Sequence, residues 1–168
     1  MGTETVAIRA AGPADAAVLA AMIRELAEYE GSTDEAKFSV DQLARALQRN
    51  PPRLRALLAE DAAGAAGFVT YTIDFAIWTG GDIVRIDDLF VSSRARGRGT
   101  GRLLMRGIAE LAIAGGMTAR WEIEPKNLRA QQFYRGLGVA IRDKIVARWS
   151  LEEMRALCDH KPGLPKRT

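Results

Sequence analysis

Between positions 94 and 101 the chain reads Arg94-Ala95-Arg96-Gly97-Arg98-Gly99-Thr100-Gly101, with glycines at alternate positions among arginines. Such a run suits an anion of the pyrophosphate kind. Glycine lets the main chain turn sharply and approach a ligand closely, and a helix that begins there offers unbonded N–H groups and the positive end of its dipole. Arg94, Arg96, Arg98 and Arg102 add positive charge around the turn. Two common phosphate motifs do not fit. A P-loop needs Gly-Lys-Ser/Thr after its second glycine, and the dinucleotide fingerprint needs Gly-x-Gly-x-x-Gly at the start of a βαβ unit.

What stands here instead, Arg94-x-x-Gly97-x-Gly99 between a strand-like run and a helical pattern, resembles the acyl-CoA-binding motif of the GNAT superfamily of N-acetyltransferases. Downstream, Asn127-Leu128-Arg129-Ala130-Gln131-Gln132-Phe133-Tyr134, followed by Gly138, resembles that family's second CoA motif. The resemblance runs roughly from Val6 to Leu157. It implies acetyl-CoA as the acyl donor, its pyrophosphate on the backbone N–H groups of Arg96, Gly97, Arg98, Gly99, Thr100 and Gly101. The pantetheine arm would lie along Leu89, Phe90 and Val91 and pair with the backbone of Leu89 and Val91 as an added strand. Asn127 would cap the second helix and touch CoA. A cap with no ligand contact explains an asparagine there equally well.

Transfer of an acetyl group from a thioester to an amine needs an uncharged amine and a proton for the departing thiolate. By the resemblance Tyr134 supplies that proton, and a phenol of pKa about 10 is a suitable donor to a thiolate. Asp87 is the candidate that receives the ammonium and accepts its proton, directly or through water. Successive strand side chains point to opposite faces, so Asp87 and Asp88 cannot share a cavity unless a bulge intervenes.

Three segments sharpen the resemblance towards the spermidine/spermine (diamine) and thialysine N-acetyltransferases: Ile23-Arg24-Glu25-Leu26-Ala27-Glu28-Tyr29-Glu30, Trp78-Thr79-Gly80 and Ile86-Asp87-Asp88-Leu89-Phe90-Val91. That branch usually carries Glu where Asp87 stands, one methylene longer, which favours a water relay here. Tyr29, Glu30, Asp74, Trp78 and Asp87 would then line a pocket for an amine with an aliphatic stem, acids for charge and aromatic rings for cation–π contact. An aminoglycoside, an amino acid or a protein amine would need the same chemistry. A non-catalytic acyl-CoA sensor would keep the glycine turn and could dispense with Tyr134 and Asp87.

Composition sets the frame for these groups. The 168 residues are 48% apolar and 27% charged, as in a soluble globular domain, with net charge +3. A nucleic-acid partner is not expected, because the arginines lack interleaved aromatic residues and a docking motif. No apolar run approaches the roughly 20 residues of a membrane span, and Met1 to Thr5 have no signal-peptide character, so a cytoplasmic location is expected. The single cysteine, Cys158, excludes an internal disulfide. Cys158 and the single histidine, His160, lie outside every motif, which argues against a covalent acyl-enzyme and a metal site and for direct attack in a ternary complex. By the family resemblance a homodimer is expected.

The elements that must position the site are read as one α/β domain over residues 1–160, with 161–168 a mobile tail, and by the family resemblance their sheet is mixed, mainly antiparallel and flanked by helices. Strands are expected at Val6–Arg9, Leu54–Glu60, Ala65–Ile73, Ile83–Val91, Trp121–Glu124, Val139–Ile141 and Ile145–Ser150. Helices are expected from Pro13 to Gly31, from the capping box Ser39-Val40-Asp41-Gln42 to Asn50-Pro51, and over Thr100–Ala114, Leu128–Leu137 and Leu151–Cys158. The resemblance adds that the cofactor wedges between two parallel strands that splay apart.

Overall fold

The computed structural model describes residues 5–159; the expected tail and His160 lie outside them. The described chain divides into a large unit ending at Lys126 and a small one beginning at Asn127.

The large unit carries a five-stranded sheet in the order of the chain: β1 (Ala7–Ala10), β2 (Arg55–Asp61), β3 (Gly64–Ala76), β4 (Gly81–Val91) and β5 (Thr118–Arg120). The first four are antiparallel neighbours, and β5 returns parallel to β4. Helices α1 (Ala16–Glu30) and α2 (Val40–Gln48) precede β2, and α3 (Thr100–Ala114) crosses from β4 to β5. Leu19 and Met22 of α1 and Leu47 of α2 form one buried cluster with Ala56, Leu58, Phe68 and Phe90 of the sheet. On the opposite face α3 lies so close that a Cβ at Gly107 would come within 2.9 Å of Leu57 and 3.3 Å of Ile8.

Local chemistry sets the ends that matter. Ser39 and Gln42 make the expected reciprocal cap of α2, at 3.1 and 2.8 Å. Helix α1 stops at Gly31, whose φ of 71° is the left-handed conformation glycine tolerates. Ser32 then donates its N–H back to Ala27 at 2.9 Å. This cap fixes Tyr29 and Glu30 on the last turn.

The strand expected at Trp121–Glu124 is instead Thr118–Arg120, paired with Ile83–Arg85 of β4. The pairing ends at Arg85, two residues before the bulge of β4 at Asp87 and Asp88, and a bulge bends its strand. In the small unit, α4 (Leu128–Arg135) and α5 (Leu151–Asp159) form as expected in place. The strands expected at Val139–Ile141 and Ile145–Ser150 do not form; the side chains of Ile145 and Trp149 are exposed. Strand propensity is realised only against a partner edge and a covered face.

Candidate active site

Leu89 and Val91 owe their availability to strand alternation. Ser92 donates its N–H to the carbonyl of Ala66 opposite it, at 3.0 Å. Phe90, opposite Phe68, therefore also turns its main-chain groups towards β3, while Leu89 and Val91 turn theirs to the other edge. Along that edge β5 accompanies β4 only as far as Arg85. Phe90, expected among the cofactor contacts, is thus placed otherwise: its main chain serves the sheet and its ring lies in the core, 5.9 Å from that of Phe68.

The glycine turn follows. Gly97 and Gly99 have φ of 77° and 83°, and Gly99 is the N-cap of α3. No atom lies within 4 Å of where their Cβ would stand, so the backbone faces open space. Thr100 is buried and donates its hydroxyl inward to the carbonyl of Ala95 at 3.4 Å, leaving its first-turn N–H rather than its side chain for a ligand. The same Arg-x-x-Gly-x-Gly pattern also fits two residues later, at Arg96-x-x-Gly99-x-Gly101. The cap at Gly99 favours that register, which ends on the first turn of α3.

The arginines divide. Arg94, expected to charge the anion site, is committed elsewhere: Nη1 lies 2.6 Å from Asp61, and Nη2 donates to the carbonyls of Gly64 and Ala65. It staples the glycine turn to the β2–β3 hairpin, and its guanidinium holds the Asp61 carboxyl below its usual range. Arg96 instead donates Nε to the carbonyl of Val91 at 3.0 Å and stands over the rings of Tyr29, at 4.3 Å, and Phe90, at 5.7 Å. It thereby joins the glycine turn, the open β4 edge and the end of α1.

The carboxylates meet at the bulge. Val69 pairs with Leu89 but Tyr71 with Ile86, so Thr70 alone faces both Asp87 and Asp88. The extra residue reverses the alternation of β4. Asp74 bonds Arg85 at 2.7 Å, Thr70 contacts Asp88, and Phe68 packs on Phe90. Because Phe68, Thr70 and Asp74 lie at even spacing on β3, Arg85, Asp87, Asp88 and Phe90 share the face on which α1 packs, where Phe90 is buried and the two aspartates stay exposed. Desolvation, then the charge of Asp88, raises the Asp87 pKa, and desolvation likewise raises that of Asp88. Desolvation, then Asp88 and Glu124, raises that of Glu30. Four acids crowd here and favour an incoming cation.

Asp74 and Trp78 lie at the far end of the β3–β4 hairpin. With Phe75, Ile83, Arg85 and Arg120 they line a shallow hollow of about 220 Å³. The charge of Asp74 is already met by Arg85, and Trp78 is wholly exposed at 101%. Asp74 still acts on Asp87 through its charge. Sequence reasoning left Asp88 undecided and missed Thr70 and Glu124. A threonine inside the apolar run Phe68-Val69-Thr70-Tyr71 was the available signal.

In the small unit Asn127 accepts the N–H of Ala130 at 2.9 Å and so caps α4. Tyr134 is buried, edge-on to Phe133 with ring centroids 5.1 Å apart. Burial pushes its phenol up to about 12. Among the described residues no group of three or more His, Cys, Asp or Glu could hold a metal ion, and no helix is long and apolar enough to cross a membrane.

The sequence profile described as the acetyltransferase (GNAT) family matches residues 19–139. A thialysine N-epsilon-acetyltransferase of Bos taurus is 32% identical over 142 residues, covering 79% of this chain and 83% of the relative. Among solved structures, an integron cassette protein from the mobile metagenome of V. cholerae superposes with a TM-score of 0.74 at 30% identity, over 91% of this chain and 97% of that one. An aminoglycoside N-acetyltransferase solved in complex with CoA has a TM-score of 0.72 over 90% of this chain and 97% of its own. Its 19% identity makes it a likeness of fold alone.

Proposed function

This chain belongs to the acetyltransferase (GNAT) family and is an acyltransferase, and on that premise we propose that it moves the acetyl group of acetyl-CoA to a primary amine of a small aliphatic cation of the diamine, polyamine or thialysine type. The observation that carries the acceptor class is the bulge at Asp87 and Asp88, which puts two carboxylates on one face of β4, with Asp88 near enough to Glu30 of α1 to act on it through its charge. A neutral or anionic acceptor has no use for that charge. The thialysine N-epsilon-acetyltransferase relatives support the same class.

In this reading the pyrophosphate lies on the glycine turn and the first N–H groups of α3, where the helix dipole meets it. The pantetheine arm pairs with Leu89 and Val91, whose outward main-chain groups support an added strand. Asn127 contributes its cap of α4 and a contact to CoA. The acceptor enters between Tyr29, Glu30 and the carboxylates; Asp74 and Trp78 extend the wall for its distal end. An alkyl ammonium of pKa about 10.4 must lose a proton before it attacks. Asp87 accepts it, directly or through water.

The amine lone pair then forms the new C–N bond at the thioester carbonyl, the adduct's nitrogen releases its extra proton to solvent, and collapse of the tetrahedral adduct breaks the C–S bond. Tyr134 gives its phenolic proton to the departing thiolate, releasing free CoA, and is reprotonated from solvent. Both substrates are bound together, and no acetyl group is carried by the protein. We place the enzyme in the cytoplasm as a homodimer, for which exposed Trp149, Leu151 and Leu157 of the small unit offer apolar surface.

The test is acetyl-CoA-dependent release of free thiol against spermidine, short diamines, thialysine, lysine, an aminoglycoside and a short peptide. Turnover of the cationic aliphatic amines is expected. Turnover confined to the aminoglycoside or the peptide would overturn the acceptor class and leave the acetyltransferase intact.

A further inference from the structure

Thr70 is a polar side chain in the most buried stretch of β3, 3% exposed. Its hydroxyl does two things at the bulge. It accepts the main-chain N–H of Asp88 at 3.1 Å and faces the Asp88 carboxylate, to which it donates at 3.4 Å. A bulge places two residues against one and leaves the ladder short of a partner for the extra peptide. Here a side chain meets that need. A buried N–H with no acceptor gives up its hydration without replacement, which favours a different local backbone.

We propose that Thr70 is a positioning residue for the acceptor: its hydroxyl pins the β4 bulge and so holds Asp87 and Asp88 side by side on the α1 face. This rests on the acceptor class argued above. Thr70 does not touch the substrate; it acts through the two carboxylates. Without the pin, the simplest relief is regular alternation, which would turn Asp87 and Asp88 to opposite faces. The acceptor would then meet one carboxylate instead of two, while the glycine turn, anchored separately by Arg94 on the β2–β3 hairpin, would stay as it is.

The decisive comparison is among Thr70→Val, Thr70→Ser and Asp88→Asn. Valine keeps the shape and loses the hydroxyl; serine keeps the hydroxyl. Asparagine keeps the main-chain N–H at Asp88 and removes only the charge. Thr70→Val is expected to raise KM for a diamine about tenfold, with acetyl-CoA Kd within twofold of the parent, and Thr70→Ser to restore KM to within about threefold. Asp88→Asn should show the KM effect with the bulge intact.

A second readout needs no acceptor: hydrogen exchange at the Asp88 amide. It should be slow in the parent, Thr70→Ser and Asp88→Asn, and at least tenfold faster in Thr70→Val. If no amine is acetylated by the parent, the acceptor reading fails and exchange alone decides whether Thr70 pins the bulge. Unchanged exchange and KM in Thr70→Val, or a parallel loss of acetyl-CoA and amine binding, would overturn the proposal. If the valine variant does not fold, exchange at Asp88 in Thr70→Ser against the parent decides it: protection lost despite the retained hydroxyl would count against the pin.

Discussion

Arg96 donates its Nε to the main-chain oxygen of Val91 at 3.0 Å while its guanidinium covers the ring of Tyr29 at 4.3 Å. A pantetheine amide paired with the β4 edge would need that same oxygen. Arg96 therefore competes with the arm of the cofactor even as its charge favours the phosphates. Arg96→Met is expected to raise the Kd for acetyl-CoA about tenfold, the scale of a charge-assisted hydrogen bond. The same change should improve kcat/KM for S-acetylpantetheine, which has no phosphate, about threefold. Equal losses with both donors would contradict the competition.

Tyr134 gives a prediction in pH. Its phenol is pushed up to about 12 by burial, so it keeps its proton across any ordinary assay range. The acceptor must lose one. Hence kcat/KM should rise with pH towards the amine pKa of about 10.4, with no falling limb below it. Tyr134→Phe should lower kcat about 100-fold and leave acetyl-CoA Kd unchanged. Turnover across pH 6–10 with titration calorimetry checks both statements.

Asp87→Asn removes charge and basicity at nearly constant shape. Its kcat/KM for a diamine should fall at least tenfold, within the range ascribed to one positioned proton acceptor. Steady-state kinetics at pH 7 and 9 separate the roles. A loss that shrinks at pH 9 marks Asp87 as the base, and one that persists marks it as the cation's anchor.

The crowded acids favour function over stability. Glu30, Asp87 and Asp88 all have raised native pKa values, so the folded state holds protons more tightly than the unfolded chain. Their effect is absent in acid, below the unfolded value of about 4. It becomes destabilising as pH rises through the native values. Asp88→Asn should therefore stabilise the protein at pH 7 and not at pH 3. Melting curves at the two pH values read it.

Gly67 lies in β3 with its missing Cβ only 2.6 Å from the carbonyl oxygen of Phe90 and 3.2 Å from Cα of Val91. Gly67→Ala can be relieved only by parting β3 from β4 beside Val91. It should cost about 1–3 kcal/mol, read by urea unfolding, and weaken acetyl-CoA binding through the shifted edge.

The sequence by itself determined the parts whose chemistry is local. Alternate glycines can only make a tight turn, Ser39 with Gln42 can close a cap within four residues, and the apolar spacing of Leu104 and Ile108 states which face of α3 is buried. The pairing of a glycine turn with the Asn127–Tyr134 segment pointed to the family. Partnership was not legible. Arg94 and Arg96 look alike in the sequence, yet one reaches Asp61 and the hairpin carbonyls, and the other Val91 and Tyr29, because neighbours 5 to 67 residues away decide their contacts. The segments at 121–124, 139–141 and 145–150 have strand composition, but pairing depends on an available edge rather than on composition. Likewise the sequence posed Asp87 and Asp88 as alternatives. Only the register of β3 against β4, with Thr70 opposite both, put the two carboxylates on one face. An extra residue in one strand is a relation between two strands, and no single stretch of sequence contains it.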